Sequence, residues 1–146
     1  MDIRNMRADY FETMLRARKG YSRVMDPICE QWDLTRNELD VILFLYNNPE
    51  FDRASDVATR RGMAKSHVSL SVNTLEAKGL LRRRADQADR RAVHLELLGD
   101  AEDIARQGRE AQQSFFGKIY AGLTCDEITT WSRIAEKVSQ NIANLD

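Results

Sequence analysis

Long apolar runs, cysteine and histidine are all scarce in this chain of 146 residues. No apolar run approaches the roughly 20 residues that a helix needs to cross a bilayer, and the first residues lack the apolar core of a signal peptide. We therefore expect a cytoplasmic protein with no membrane partner. The two cysteines, Cys29 and Cys125, lie far apart and form no Cys-x-x-Cys pair, which argues against a zinc site and against a disulfide framework.

The two histidines, His67 and His94, have no nucleophile, metal-binding cluster or phosphate-binding loop near them in the sequence. An enzyme is therefore the least favoured class of function, and we expect neither a metal nor a cofactor. Repeats, low-complexity segments and flexible linkers are lacking too. Because 42% of the residues are hydrophobic, the chain can bury a sizeable core, and we predict one domain over residues 1–146.

The net charge is only −1, but the charged residues are unevenly distributed. Between Arg60 and Arg91 there are nine Lys or Arg residues and three acids, an excess of +6, whereas the rest of the chain carries −7. Binding to a phosphate backbone requires such a local excess. Taken alone, the charge pattern is equally consistent with an ordinary solvated face.

The N-terminal segment predicts a long helix over about residues 2–32. Apolar residues recur there at spacings of three and four, beginning with Ile3 and Met6. Pro27 has no backbone N–H, so we expect the helix to kink or to end near Asp26.

Three shorter helices are predicted next, with a glycine turn before the third of them. A Thr-x-x-Glu capping box at residues 35–38 starts the first, and the connector at residues 51–54 has the composition of a short strand. Ser55 is the expected N-cap of the second, which Gly62 ends. The last starts near Ala64 or Lys65 and runs to Lys78, and three of its residues form the inward face: Val68, Val72 and Leu75.

A hairpin and two closing helices complete the predicted fold. Residues 80–84 and 93–98 are the expected strands, since the second alternates apolar and polar residues, and residues 86–89 make the turn. A helix follows over about residues 100–120. After a second capping box at residues 124–127, the last helix carries an apolar seam: Ile128, Trp131, Ile134, Ala135, Val138, Ile142 and Leu145.

The most specific stretch reads Leu75-Glu76-Ala77-Lys78-Gly79-Leu80-Leu81-x-Arg83, followed by Asp86-x-x-Asp89-Arg90-Arg91-x-Val93. With these motifs the chain resembles the MarR family of bacterial transcription regulators. The resemblance implies a mainly α fold with a small β wing (α+β). A winged helix-turn-helix would cover residues 34–98, and dimerisation helices would cover residues 1–32 and 100–146.

The family resemblance also implies a function. A member would be a homodimeric, sequence-specific DNA-binding transcriptional regulator, most often a repressor that a small-molecule effector releases. Its partners would be a pseudo-palindromic operator in double-stranded DNA, a second copy of the chain and the effector. Two recognition helices would then meet half-sites about 10 base pairs apart. The alternative is that the seam packs only on the chain's own first helix.

The wing and the recognition helix supply the candidate DNA contacts. By resemblance Arg91 enters the minor groove, Asp89 holds its guanidinium in a bidentate pair, and Arg90 contacts phosphate. Arg83 belongs to the same motif. The recognition helix adds six candidates near its N-terminus: Lys65, Ser66, His67, Ser69, Leu70 and Asn73.

Base chemistry suggests individual roles on that helix. Asn73 can pair with adenine, Lys65 with guanine, and Leu70 can touch a thymine methyl. Ser66 and Ser69 suit phosphate oxygens. Two departures from the family pattern leave the site preference open: Ala64 replaces a common Ser or Thr cap, and Leu70 occupies a position that is often basic.

Two other functions remain open on the sequence. Cys29 would be the sensor if the chain were a redox-responsive regulator, although a buried, inert cysteine is the favoured interpretation. A winged helix used only for protein contacts is the other alternative, and the basic segment argues against it.

Overall fold

The structure, a computed structural model, describes residues 3–145, with side-chain surroundings from Asp9 onward. In these residues six helices and one antiparallel hairpin follow one another: α1 (Ile3–Trp32), α2 (Arg36–Asn47), α3 (Ala54–Arg61), α4 (Lys65–Ala77), β1 (Leu81–Ala85), β2 (Val93–Leu97), α5 (Ala101–Ile119) and α6 (Cys125–Ala143). The predicted start of the helix at Asp2 lies outside the described residues, and the predicted apolar contacts of Ile3 and Met6 lie outside the described side chains. None of the helices within residues 3–145 has the length and apolarity that crossing a bilayer requires.

The first helix does not end near Asp26, which was one of the two outcomes predicted from Pro27. α1 continues through Pro27 to Trp32. Pro27 leaves the carbonyl of Arg23 without its usual helical donor, but both residues lie on the exposed side, where water replaces the lost bond. The buried side chains of Met25 and Ile28 hold the helix on the core at either side of the proline.

The capping box that starts α2 is confirmed. The backbone N–H of Glu38 donates to Thr35 Oγ1 at 3.2 Å, and the backbone N–H of Thr35 donates to Glu38 Oε2 at 3.1 Å. Seven of the 12 residues of this helix are buried, all of them between Glu38 and Leu45. α2 therefore lies at the centre of the core, with other elements packed around most of its surface.

The helix-turn-helix is formed by α3, Gly62 and α4. Gly62 adopts a left-handed conformation with φ of 67°, as expected at the end of α3. Ser55 is not the N-cap: Arg53 takes that position, α3 begins two residues earlier than predicted, and the Asp56 carboxylate accepts the backbone N–H of Arg53 at 3.2 Å. The inward face of α4 is confirmed, since Val68, Val72 and Leu75 are buried, and Ser71 joins them.

The hairpin pairs β1 with β2 in antiparallel register, with Leu81 opposite Leu97 and Arg83 opposite Leu95. The buried side chains of Leu81 and Leu95 anchor it to the helices. Residues 51–54 form no strand in the described structure. One backbone hydrogen bond connects them to β2: the Leu95 N–H donates to the Asp52 carbonyl oxygen at 2.7 Å.

The chain divides into two compact units, Met1–Gln113 and Ser114–Asp146. In the first, the start of α5 joins the core through Ala101, Ile104 and Ala105, and Gly108 lies against Leu43. A Cβ at Gly108 would lie only 2.7 Å from Leu43 Cδ2, so any larger residue there would force the Leu43 side chain to move.

The second unit contains the end of α5 and all of α6. The capping box before α6 is confirmed, since the Thr124 N–H donates to Glu127 Oε2 at 2.8 Å and the Glu127 N–H donates to Thr124 Oγ1 at 3.3 Å. No described side chain of α6 is buried. The exposed apolar side chains include Trp131, Ile134, Val138 and Ile142.

Candidate nucleic-acid interface

The outer face of α4 presents all six of the predicted recognition-helix residues to solvent. Lys65, Ser66, His67, Ser69, Leu70 and Asn73 are exposed. Leu70 is 66% exposed, which is a large apolar area for a side chain with no packing partner. The buried residues of the opposite face fix the helix on the core, so its outer residues are held in place for contact with a ligand.

The N-terminal end of α4 has no side-chain cap. Ala64 occupies the N-cap position. Its methyl side chain cannot accept a hydrogen bond from the N–H groups of the first turn. The N–H groups of that turn consequently remain available to an anion. Lys65 stands beside them and forms no ion pair with any described residue.

Two aspartates fold the tip of the wing. Asp86 Oδ1 accepts the backbone N–H groups of Ala88 at 2.7 Å and Asp89 at 2.9 Å, and Asp89 Oδ1 accepts the N–H of Arg91 at 3.0 Å. The loop closes where the Asp86 N–H donates to the carbonyl oxygen of Ala92 at 3.0 Å. The predicted turn at residues 86–89 is thus part of a longer loop that reaches Ala92.

These bonds change the role expected of Asp89. Its carboxylate holds the backbone of Arg91 and not the guanidinium, so the predicted bidentate pair is not formed. The reason is local, because an aspartate in a turn is closer to the N–H two residues on than to the end of a long side chain. Arg90 and Arg91 are exposed and form no ion pair within the described side chains.

Arg83 lies on β1 and reaches back to the recognition helix. Its Nη2 donates to Asn73 Oδ1 at 2.7 Å, and its Nη1 forms an ion pair with Glu76. The Arg83 backbone N–H also donates to Glu76 Oε1 at 3.3 Å. The structure therefore joins two predicted DNA contacts, Arg83 and Asn73, to each other. Glu76 is the member that sequence reasoning missed, although it belongs to the same family motif.

His94 joins the wing to the connector before α3. Its Nδ1 lies 2.7 Å from Asp52 Oδ1, and its Nε2 lies 2.9 Å from Asp86 Oδ2. These hydrogen bonds, with the Asp52 bond first, raise the pKa of His94, and Arg84 opposes them. The pKa of Asp86 is lowered to about 2, first by the N–H of Asp89 and then by His94. Nothing in the sequence pairs His94 with Asp52, which is 42 positions away.

Lys78 anchors the C-terminal end of the recognition helix. Its Nζ lies 3.2 Å from Glu38 Oε2 and also donates to the carbonyl oxygen of Asp33. Glu38 is buried and is the same residue that closes the capping box of α2. One side chain thus ties the end of α4 to the start of α2 and to the residue after α1.

The basic excess of the sequence is smaller in the folded chain. Four of the nine basic residues from Arg60 to Arg91 form ion pairs: Arg61 with Asp40, Lys78 with Glu38, Arg82 with Glu96, and Arg83 with Glu76. Arg60 lies over the Phe51 ring, 3.4 Å from its centroid. The cations left without such a partner among the described residues are Lys65, Arg84, Arg90 and Arg91.

The order of these elements and the wing motif agree with a known family. The model of the MarR family matches residues 32–92, from the end of α1 to the wing. This stretch contains the whole recognition helix and the loop that carries Arg90 and Arg91.

Solved structures share the fold of nearly the whole chain. A MarR-family transcriptional regulator from Silicibacter pomeroyi is 17% identical, with a TM-score of 0.76, over 89% of this chain and 87% of that one. A MarR-family protein from Bacillus stearothermophilus is 19% identical, with a TM-score of 0.70, over 98% and 99%. The S. aureus MepR–DNA complex is 17% identical, with a TM-score of 0.73, over 94% and 96%. The chain therefore has the fold of MarR-family transcriptional regulators beyond the matched domain.

The two cysteines lie outside the stretch that matches the MarR family. Cys29 lies near the end of α1, where burial raises the pKa of its thiol more than the nearby Arg36 lowers it. A raised pKa disfavours the thiolate that peroxide chemistry needs. The redox alternative therefore loses support. Cys125 is exposed at the first residue of α6.

Proposed function

We propose that this chain is a homodimeric, sequence-specific DNA-binding transcriptional regulator. It acts in the cytoplasm as a repressor, and a small-molecule effector releases it from its operator. One observation carries the proposal: the outer face of α4 and a wing tip folded by two aspartates both present exposed cations, Lys65, Arg90 and Arg91, that form no ion pair with any described residue. S. aureus MepR, which shares this fold, has been solved as a complex with DNA.

The contacts divide by chemistry. Arg91 enters the minor groove from the wing, and Arg90 binds the adjacent phosphate. At the start of α4, Lys65, Ser66 and Ser69 meet phosphates or a guanine edge beside the uncapped first turn, in the position that helix N-termini take on DNA.

Further along α4, His67 and Leu70 face the bases, and Leu70 suits a thymine methyl. Asn73 lies on the same face. Arg83 and Asp89 act by position: Arg83 braces the recognition helix, and Asp89 sets the backbone that carries Arg91.

The dimer would use both ends of the chain, residues 1–32 and 100–146, while residues 34–98 bind DNA. Support comes from the apolar face of α6, where Trp131 is 47% exposed and Ile134 is 48% exposed within the single chain. Tyr10 and Phe11 of α1 are exposed in the same way. Apolar residues of this size normally find a partner surface, and a two-fold dimer would place two α4 helices on a pseudo-palindromic operator.

The test is duplex affinity measured against salt. The probe is a duplex of about 30 base pairs selected by the purified chain from a random pool. Each phosphate contact contributes about −0.9 to the log–log slope. Lys65, Arg90 and the minor-groove Arg91 each place one cation among the phosphates, so two protomers predict a slope of about −5.

Arg91→Ala should weaken binding by at least about 1 kcal/mol and make the slope shallower. Arg109→Ala is the matched control, because Arg109 is an exposed arginine on α5, outside the interface. A flat salt response would refute DNA binding and favour a protein-contact role. Equal effects of the two substitutions would refute the assignment of the wing.

A further inference from the structure

The imidazole ring of His94 lies between two carboxylates that belong to different segments of the chain. Its Nδ1 is 2.7 Å from Asp52 Oδ1, in the connector before α3, and its Nε2 is 2.9 Å from Asp86 Oδ2, in the wing loop. All three side chains are partly buried. Both ring nitrogens are therefore committed to a carboxylate oxygen, and the ring joins the wing loop to the connector.

Only the protonated ring can serve both carboxylates. An imidazolium donates from both nitrogens, whereas a neutral imidazole has one N–H and one bare nitrogen that can only accept. In the neutral ring, one of the two contacts would bring two acceptors together. A protonated carboxyl group could donate instead, but aspartate ordinarily titrates at about pH 3.9, and the N–H of Asp89 above all lowers the pKa of Asp86 to about 2. Loss of the His94 proton therefore breaks the link at one of its ends.

The other ionisable groups near His94 do not replace these bonds. Four of them line a cleft of about 430 Å³ beside the ring: Tyr46 on α2, Arg84 on β1, Glu96 on β2 and Glu102 on α5. Glu96 is already ion-paired within the hairpin. The hydrogen bonds to Asp52 and then to Asp86 raise the pKa of His94 against the opposing effects of burial and of Arg84.

The link reaches the part of the wing that carries the candidate DNA contacts. Asp86 Oδ1 accepts two backbone N–H groups of the wing loop, while Oδ2 of the same carboxylate faces His94. Asp86 therefore folds the loop that carries Arg90 and Arg91, and through the imidazole it also holds this loop to the connector. Because the connector leads directly into α3 and the recognition helix, the link sets the wing tip relative to the helix-turn-helix.

We infer that protonated His94 is a positioning residue that holds the wing tip in its DNA-binding arrangement, so that the chain binds DNA more tightly at acidic than at alkaline pH. The inference rests on the proposed DNA-binding function and adds regulation by pH to it. As pH rises and the ring loses its proton, one bond is lost and the wing tip gains freedom that DNA binding must remove. His94 touches no DNA in this scheme, since it acts through Asp86.

The experiment measures affinity for the selected duplex at two pH values and one salt concentration. The wild type should bind at least about 5-fold more tightly at about pH 6 than at about pH 9, which is the lower end of common coupling between two sites. His94→Gln cannot become charged, so its two affinities should differ much less. His67→Gln removes the other histidine of the sequence and should keep a ratio of about 5-fold or more, whatever affinity it loses. Thermal unfolding at both pH values checks that each variant is folded.

Asp52 allows positioning to be distinguished from a simple effect of charge. Asp52→Ala breaks the link on the side of the connector, and it also removes a negative charge from the wing side of the chain. Positioning predicts that binding at about pH 6 weakens by about 5-fold or more, whereas charge alone predicts equal or tighter binding. Glu102→Ala is the matched control, because Glu102 is an exposed acid of the same cleft with no bond to His94 in the described residues. It should not weaken binding.

Three outcomes would overturn the inference. They are an equal pH ratio in the wild type and His94→Gln, undiminished binding by Asp52→Ala, and loss of the pH ratio in His67→Gln, which would place the titrating group on the recognition helix. Failure of the wild type to bind any duplex at either pH would instead refute the proposed function itself, so the two failures are distinguishable.

Discussion

Replacing Lys78 by methionine should destabilise the whole first unit, although Lys78 is on the surface. Its Nζ lies 3.2 Å from Glu38 Oε2, and the Glu38 side chain is only 6% exposed. The same carboxylate oxygen accepts the N–H of Thr35 at 3.1 Å. Methionine preserves the length and the apolar stem of lysine, so the substitution removes mainly the charge and its hydrogen bonds.

The expected loss is about 2 kcal/mol. Removing one partner from a fully buried ion pair costs about 3–5 kcal/mol, because a carboxylate stays behind in a poorly solvated site. Here the loss is smaller, since the Lys78 side chain is 31% exposed and water can partly replace it. Glu38 also keeps its bond to Thr35. At this chain length about 2 kcal/mol corresponds to a fall in Tm of roughly 6 °C.

The assay is urea and thermal unfolding followed by circular dichroism. Lys19→Met is the matched control, because Lys19 is an exposed lysine on α1 with no ion pair among the described residues. Glu38→Gln and the double variant complete a thermodynamic cycle. The double variant should lose less than the sum of the single variants. If Lys78→Met were no worse than Lys19→Met, or if the single losses simply added, the reasoning would be refuted.

Two further predictions concern pH and assembly. Because the pKa of His94 is raised above its usual 6.5, the bonds to Asp52 and Asp86 stabilise the folded state fully below about pH 6.5, and this contribution is lost as pH rises through the folded-state pKa. The urea midpoint of the wild type should therefore exceed that of His94→Gln by less at pH 9 than at pH 5.5, and a constant gap would contradict the assignment. Ile134→Asp should sediment as a monomer at concentrations where the wild type is a dimer, with unchanged circular dichroism; a monomeric wild type would contradict the proposed assembly.

Features set by neighbouring residues were predictable from the sequence. The capping boxes at Thr35 and Thr124 depend on contacts three residues apart, and both are present. The inward face of α4 follows from helical spacing, and Val68 and Val72 are buried as that spacing requires. Local competition explains the small error at α3, since Asp56 accepts an N–H that the prediction had not assigned to it.

Contacts between distant residues were not predictable. Lys78 and Glu38 are 40 positions apart in the sequence, and His94 and Asp52 are 42 apart. No local sequence pattern predicts either pair. The continuation of α1 through Pro27 also depends on tertiary packing, because the burial of neighbouring residues outweighs the loss of one backbone hydrogen bond. The partners of Arg83 lie closer in sequence, but only the packing of β1 against α4 brings them together.

α1 is one continuous helix from Ile3 to Trp32. Its 30 residues span about 45 Å at 1.5 Å per residue, with the exposed Tyr10 and Phe11 towards one end. At the other end the chain passes directly to Asp33, whose carbonyl accepts the Lys78 ammonium at the end of α4. A continuous helix couples the positions of its two ends. A movement imposed near Tyr10 would therefore be transmitted, as a tilt or a shift, to the residue that touches the recognition helix.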